Sequence, residues 1–390
     1  MSRRTGAVHE QADRTLAGIL NVPAQSRRLD ETTARPVRPI EAFAIPLWRS
    51  QPAHENPYCS TMRRMIRRLL IGLGATLSLA ALLFLLGPTY PLDTRDTPIT
   101  LPDDALELDP WLANSEQALG DVVAGAEKRI RWAHADRRRT GLSIIYLHGY
   151  TATRQEVDPL CDELADALDA NVFYTRLAGH GRDPHAMGSV TGSEWLHDAR
   201  EALAIGRAIG DRVIVIGTST GGTLALWLAQ RADAKDIAAQ VLISPNLGPR
   251  ERSGELLAGP WGAELLQALI GDEYRWTPRN AEQAKYWTWK YPSHALLPMM
   301  ALVREVRRSP LESIRTPTLV IYSPNDRVVS PEKILEGYGR LGASQKALIA
   351  VERSGDPSNH VLAGRILAPE DTPKVRRWIL DFLRDLKLAT

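Results

Sequence analysis

From about Ala126 onward the chain alternates between short, uninterrupted apolar runs and longer stretches in which apolar residues recur every three or four positions. The runs are Ile144–Leu147, Val172–Tyr174, Val213–Ile216, Val241–Ile243, Leu319–Tyr322 and Ala347–Val351, mostly β-branched. A strand that is apolar on consecutive positions is covered on both faces, as in a parallel sheet between two layers of helices. Helical spacing lies between several runs, at Glu156–Leu168, Glu194–Ile209 and Leu224–Arg231. A last helix is expected where Val375, Trp378, Ile379, Phe382, Leu383 and Leu386 fall on one face. The pattern predicts an α/β domain over residues 126–390, a mostly parallel central sheet flanked by helices.

The rhythm stops once. About seventy residues separate the strand ending near Ser244 from the one starting at Thr318, too many for a structureless loop in a compact domain. They hold Trp261, Trp276, Trp287 and Trp289 with the apolar segments "ELLQALI" and "HALLPMMALV". A helical lid inserted over the sheet edge, at about 247–308, is the expectation.

The longest apolar stretch stands apart from this domain. Leu69–Gly87 carries no charge and follows Arg63, Arg64, Arg67 and Arg68. A spanning helix needs about 20 apolar residues at 1.5 Å rise each, so residues 63–87 read as a basic flank and a single transmembrane helix. Its sequel "GPTYPLDTRD" offers no small-residue cleavage site, which favours an uncleaved signal-anchor. By the positive-inside rule the arginines stay in the cytoplasm and everything after Gly87 lies outside. The expected location is the inner membrane of a bacterial-type cell, with the domain facing the periplasm or exterior. Residues 1–62, rich in Arg, Pro, Thr and Ala without periodicity, read as disordered; Met62 and Met65, just before the run, are alternative starts. Residues 88–125 open with Pro88, Pro91, Pro98, Pro102 and Pro110 and read as an extended tether and lead-in.

Charge supports this division. The net formal charge is +2, with no nucleic-acid footprint. Residues 1–68 alone carry twelve Arg against six acidic residues, or +6, leaving −4 for the rest. Cys59 and Cys161 fall on opposite sides of the span and cannot pair within one inserted chain; Cys161 reads as a small buried hydrophobe. Nothing in the sequence reports the oligomeric state.

The candidate chemistry centres on "VIVIGTSTGG", where a strand runs into Ser219 with Gly217 and Gly221 two residues to either side. At a strand–turn–helix corner this G-x-S-x-G pattern is a nucleophile elbow: the turn holds the hydroxyl clear of the backbone, and side chains at 217 and 221 would crowd the neighbouring helix and strand. A phosphate loop would need a lysine here, and none is present. A serine needs a base. His360, in the polar loop "ERSGDPSNHVLAG" after the last strand, rises from the same sheet end; His148 and His180, each beside glycine in a turn, are assigned structural roles. The base needs an orienting carboxylate. Asp326, in "LVIYSPNDRVV" just past the preceding strand, is the choice over Asp356, which shares the histidine's own loop and is expected to cap a turn there. For the oxyanion the donors are the backbone N–H of Thr220 and, after "IIYLHG", that of Tyr150.

These motifs together resemble the α/β-hydrolase superfamily: histidine-glycine after a strand, the elbow, and the chain order Ser219, Asp326, His360. "LAGHGRDP" and the insertion before the Asp-bearing strand resemble its monoacylglycerol-lipase and carboxylesterase branch. The resemblance spans about residues 126–390 and implies a serine hydrolase acting on carboxylic esters of a small acyl or lipid-like substrate, with no metal or cofactor. An amidase, peptidase or thioesterase with the same triad, or a non-catalytic hydrolase-like binding module, are the alternatives. Thr220 stands where that branch often has Met, and the membrane segment is not general to the family.

Overall fold

The computed structural model describes residues 57–389. The chain divides into two units, Met1–Leu69 and Leu70–Thr390. The disorder expected over residues 1–62 lies, up to residue 56, outside the described residues; residues 57–62 are helical, because they continue the helix of the apolar run. That helix, α1 (Pro57–Leu85), is long and apolar enough from Thr61 to Leu85 to cross a membrane, and those side chains are exposed.

The second unit is built on a seven-stranded sheet. Its strands are β1 (Arg129–Arg131), β2 (Thr140–Leu147), β3 (Asn171–Tyr174), β4 (Gly210–Thr218), β5 (Ile237–Ile243), β8 (Thr318–Tyr322) and β9 (Lys346–Ala350), in the order β1-β3-β2-β4-β5-β8-β9. All neighbours run parallel except β1, which pairs antiparallel with β3 at the edge. All six expected strands are present. Alternate residues of each strand feed two cores. Ile145, Leu147, Val213, Val215, Leu242 and Val320 face one side. Ile144, Tyr146, Ile214, Ile216, Leu319 and Ile321 face the other, against α3 (Leu160–Leu168) and α10 (Thr372–Asp385). The first side is covered by α4 (Gly192–Ile209), α5 (Thr220–Ala229), α8 (Leu296–Arg308) and α9 (Pro331–Arg340). Helix α4 starts where Thr191 and Glu194 cap each other reciprocally. The helix expected from Glu156 begins only at Leu160, with Pro159 at its N-cap, after a separate turn at Arg154–Glu156.

The lead-in is not a free tether. Its early prolines keep residues 88–104 extended, yet Leu92 and Leu101 pack on the core and Asp96 pairs with Arg231 at 2.8 Å. Helix α2 (Leu108–Gln117) buries Leu108 and Leu112, and its buried Glu116 holds Arg176 at 2.6 Å. The inserted region is mixed rather than purely helical. It contains α6 (Gly262–Leu269), α7 (Ala281–Tyr286), the first part of α8, and a small two-stranded antiparallel sheet of β6 (Glu273–Arg275) with β7 (Lys290–Pro292).

Candidate active site

Tyr150, Ser219, Asp326 and His360 each lie in the segment that follows the C-terminal end of a parallel strand, β2, β4, β8 and β9 respectively. Ser219 occupies the corner between β4 and α5 with φ 52° and ψ −116°, a region a non-glycine residue enters only when its surroundings hold it there. They do: Ser219 N–H donates to Ile243 O at 2.9 Å, and its carbonyl accepts from Asn246 N–H at 2.9 Å. The flanking glycines answer to close approach. A Cβ on Gly221 would overlap the Leu147 carbonyl, and one on Gly217 would overlap the Gly221 backbone.

Asp326 and His360 come together directly, His360 Nδ1 lying 2.7 Å from Asp326 Oδ2. The aspartate is 1% exposed and the histidine 8%. The other oxygen of Asp326 accepts the N–H groups of Val328 at 2.7 Å and Val329 at 3.0 Å, which fixes the carboxylate's orientation. Asp356 makes no bond to the imidazole; it accepts from the N–H groups of Ser358, His360 and Val361 and from the Ser358 hydroxyl, shaping the loop. Ser244 Oγ donates to the His360 carbonyl at 2.7 Å, tying that loop to the end of β5 beside the elbow. No hydrogen bond joins Ser219 Oγ to the imidazole among the described residues; such bonds often tighten only with substrate bound.

Burial by itself would lower the His360 pKa. Asp326, with Glu156 and Asp356 as further anions, outweighs it and holds the imidazole above its ordinary value. The other two rings behave oppositely: burial pushes His148 well down and His180 to about 4. His148 Nε2 accepts Leu177 N–H at 3.0 Å, and His180 Nδ1 lies 3.0 Å from Ala178 O.

The N–H groups of Tyr150 and Thr220 have no hydrogen-bond acceptor among the described residues. Thr220 opens α5, where a helix leaves its first N–H groups free. Tyr150 is clamped by its ring, edge-on to Trp195 at 5.9 Å, His180 at 5.8 Å and Tyr291 of β7 at 5.7 Å. One nearby group was not singled out in the sequence: Glu156, 2% exposed, whose carboxylate accepts from Gly149 N–H at 2.8 Å. Burial raises its pKa.

Residues 139–354, more than half the chain, match the family of hydrolases described as serine aminopeptidase, S33. The chain belongs to that family. The thermostable monoacylglycerol lipase of Bacillus sp. (strain H-257) is 27% identical over 236 residues, covering 60% of this chain and 87% of that protein. Among solved structures, one from work on two metagenome-derived lipolytic enzymes, LipS and LipT, is 24% identical with a TM-score of 0.53, covering 68% of this chain and 99% of that one. The monoacylglycerol lipase of Paleococcus ferrophilus is 17% identical with a TM-score of 0.51, covering 67% and 99%. The fold is therefore the α/β-hydrolase fold, as the order of motifs implied, and this chain carries α1 ahead of it.

Proposed function

We propose that this S33-family protein is a membrane-anchored serine hydrolase cleaving carboxylic esters, with a triad of Ser219, His360 and Asp326. The observation that carries the reading is the buried His360–Asp326 pair on the same sheet end as an elbow serine flanked by two free N–H groups. Ser219 Oγ attacks the acyl carbonyl carbon and its proton passes to His360 Nε2. Asp326 holds the tautomer in which Nδ1 carries hydrogen and stabilises the imidazolium. The carbonyl oxygen, now an anion, accepts from the N–H groups of Tyr150 and Thr220. As the C–O bond breaks, His360 protonates the leaving alcohol. Water, deprotonated by the same nitrogen, then releases the acid and restores Ser219.

A small acyl or lipid-like ester is the proposed substrate. It is supported by the lipases among the relatives and by a lid that exposes Leu256, Trp261, Leu269 and Trp289. Amide-bond cleavage is the second reading, favoured by the family's own description. Purified protein assayed against monoacylglycerols of graded chain length and against aminoacyl p-nitroanilides separates the two. Preference for the esters is expected, preference for the anilides reverses the reading, and turnover of neither would leave a binding module.

The anchor reading assigns α1 to the inner membrane, the arginines to the cytoplasm and the hydrolase domain to the exterior. Deleting residues 1–87 is expected to yield an active soluble domain, since no proposed catalytic residue lies there. Protease added to spheroplasts is expected to digest the domain of the full-length protein. Complete protection together with carbonate-resistant membrane association would reverse the orientation.

A further inference from the structure

Among the buried carboxylates without a step in the mechanism, Glu156 lies against the loop that carries Tyr150. We propose that Glu156 is a positioning residue of this active site, clamping the Gly149–Tyr150 backbone against the elbow and supplying a second anion to the His360 imidazolium. The proposal rests on the triad reading.

Three contacts define the position. Glu156 Oε2 accepts from Gly149 N–H at 2.8 Å and from the Tyr146 hydroxyl at 2.9 Å. That hydroxyl also lies 3.1 Å from Thr218 Oγ1, and Thr218 immediately precedes Ser219. One oxygen therefore ties the loop after β2 to the end of β4. The Gly149 peptide passes between the carboxylate and the serine: a Cβ there would meet Glu156 Oε1 at 2.8 Å and Ser219 Cβ at 3.3 Å. From a third side, the backbone at Gly364 rests so closely on the Glu156 carbonyl that a Cβ would overlap it, so the segment after His360 is seated on the same residue. Local chain geometry brings Glu156 here. It ends the short turn Arg154–Glu156, whose start Thr153 caps, and Pro159 prevents its joining α3.

The charges fit the second role. The groups acting on His360 are Asp326, Glu156 and Asp356; those acting on Glu156 are the Tyr146 hydroxyl, the Gly149 N–H and His360. Burial raises the Glu156 pKa, and two donors on one oxygen together with the imidazole limit that rise. Asp356 spends its carboxylate on its own loop, which leaves Glu156 as the second anion not bonded within the histidine's segment.

The test separates charge from reach, with the full-length protein and a short p-nitrophenyl ester over a range of pH. Glu156→Gln can still accept from Gly149 N–H but carries no charge. It is expected to leave KM within about twofold, lower kcat about tenfold and move the acid limb of kcat/KM down by about one unit, the shift that corresponds to a tenfold change. Glu156→Asp keeps the charge on a shorter arm. It is expected to retain the wild-type acid limb while losing about 10- to 100-fold in kcat through misplacement of the loop. A Glu156→Gln enzyme with wild-type kcat and acid limb overturns the proposal. If that variant does not fold, Glu156→Asp decides, and an undiminished kcat there overturns it. Ser219→Ala in the same series distinguishes the failures. Turnover by Ser219→Ala sinks the triad reading itself; a dead Ser219→Ala beside an unaltered Glu156→Gln sinks only the role of Glu156.

Discussion

The rim of the candidate site and the inserted region proposed as its lid are built on opposite principles. On the rim each group is buried and over-determined: Asp326 is 1% exposed and held by two N–H groups besides the imidazole, and Ser219 is held in a strained backbone conformation by β5. In the lid the elements are short and apolar side chains face outward, with Leu269 72% exposed. The regions meet at the Tyr150–Tyr291 ring contact, while Trp261 anchors the start of α6 through its indole N–H to the Phe84 carbonyl at 3.0 Å. The contrast fits the two proposed tasks. Bond-breaking needs donors and acceptors set before substrate arrives, whereas admitting an apolar chain needs surface that is not already packed.

Four outcomes would break or sharpen that contrast. The largest belongs to Ser219→Ala, expected to abolish turnover and covalent labelling by a fluorophosphonate, read by mass spectrometry; full labelling would move the nucleophile elsewhere. Next, Asp326→Asn is expected to cost on the order of 10⁴-fold in kcat by favouring the wrong imidazole tautomer. Asp356→Asn should cost far less, because Asp356 bonds only its own loop; the reverse ranking would transfer the acid to Asp356.

The third outcome concerns pH. In the proposed triad the base is neutral His360, whose pKa is raised chiefly by Asp326 against the effect of burial. The acid limb of kcat/KM should therefore lie above the ordinary histidine value of about 6.5. The same pair adds stability that is fully present below the unfolded pKa and is lost as pH rises through the folded one. Thermal melts of wild type and Asp326→Asn across that window check the sign, and a gap that widens with pH would contradict it.

The smallest effect is expected in the lid. Leu269→Glu should change stability by no more than about 0.5 kcal/mol, as for an exposed site, and leave kcat for a short acetate ester intact. It should raise KM for long-chain esters. An equal loss on short and long substrates would mean that the lid acts on the chemistry and not on admission.

Much of this was legible in the chain because the chemistry leaves local marks. The six apolar runs became six of the seven sheet strands; five are buried on both faces and need apolar residues at every position, while β9, at the edge, is half-buried. Strand β1 was not legible: three residues, two of them arginine, at an antiparallel edge carry no apolar run. The β6–β7 pair escaped for the same reason, and α2 was hidden among prolines although Leu108 and Leu112 enter the core.

By itself the sequence determined the sheet's composition, the length and charge asymmetry of α1, and the glycine-fenced turn at Ser219, because each depends on neighbours a few positions apart. It also favoured Asp326 over Asp356 as the partner of His360, by position in the chain. Only the tertiary structure decided that Asp326 meets His360 while Asp356 turns into its own loop, because a 2.7 Å contact across 34 residues depends on how β8 and β9 carry their loops to one rim. Glu156 belongs wholly to the second kind. In the chain it is one acidic residue ahead of a helix; folded, it lies between the Gly149 peptide and the Tyr146 hydroxyl, where burial makes its two hydrogen bonds and its charge count.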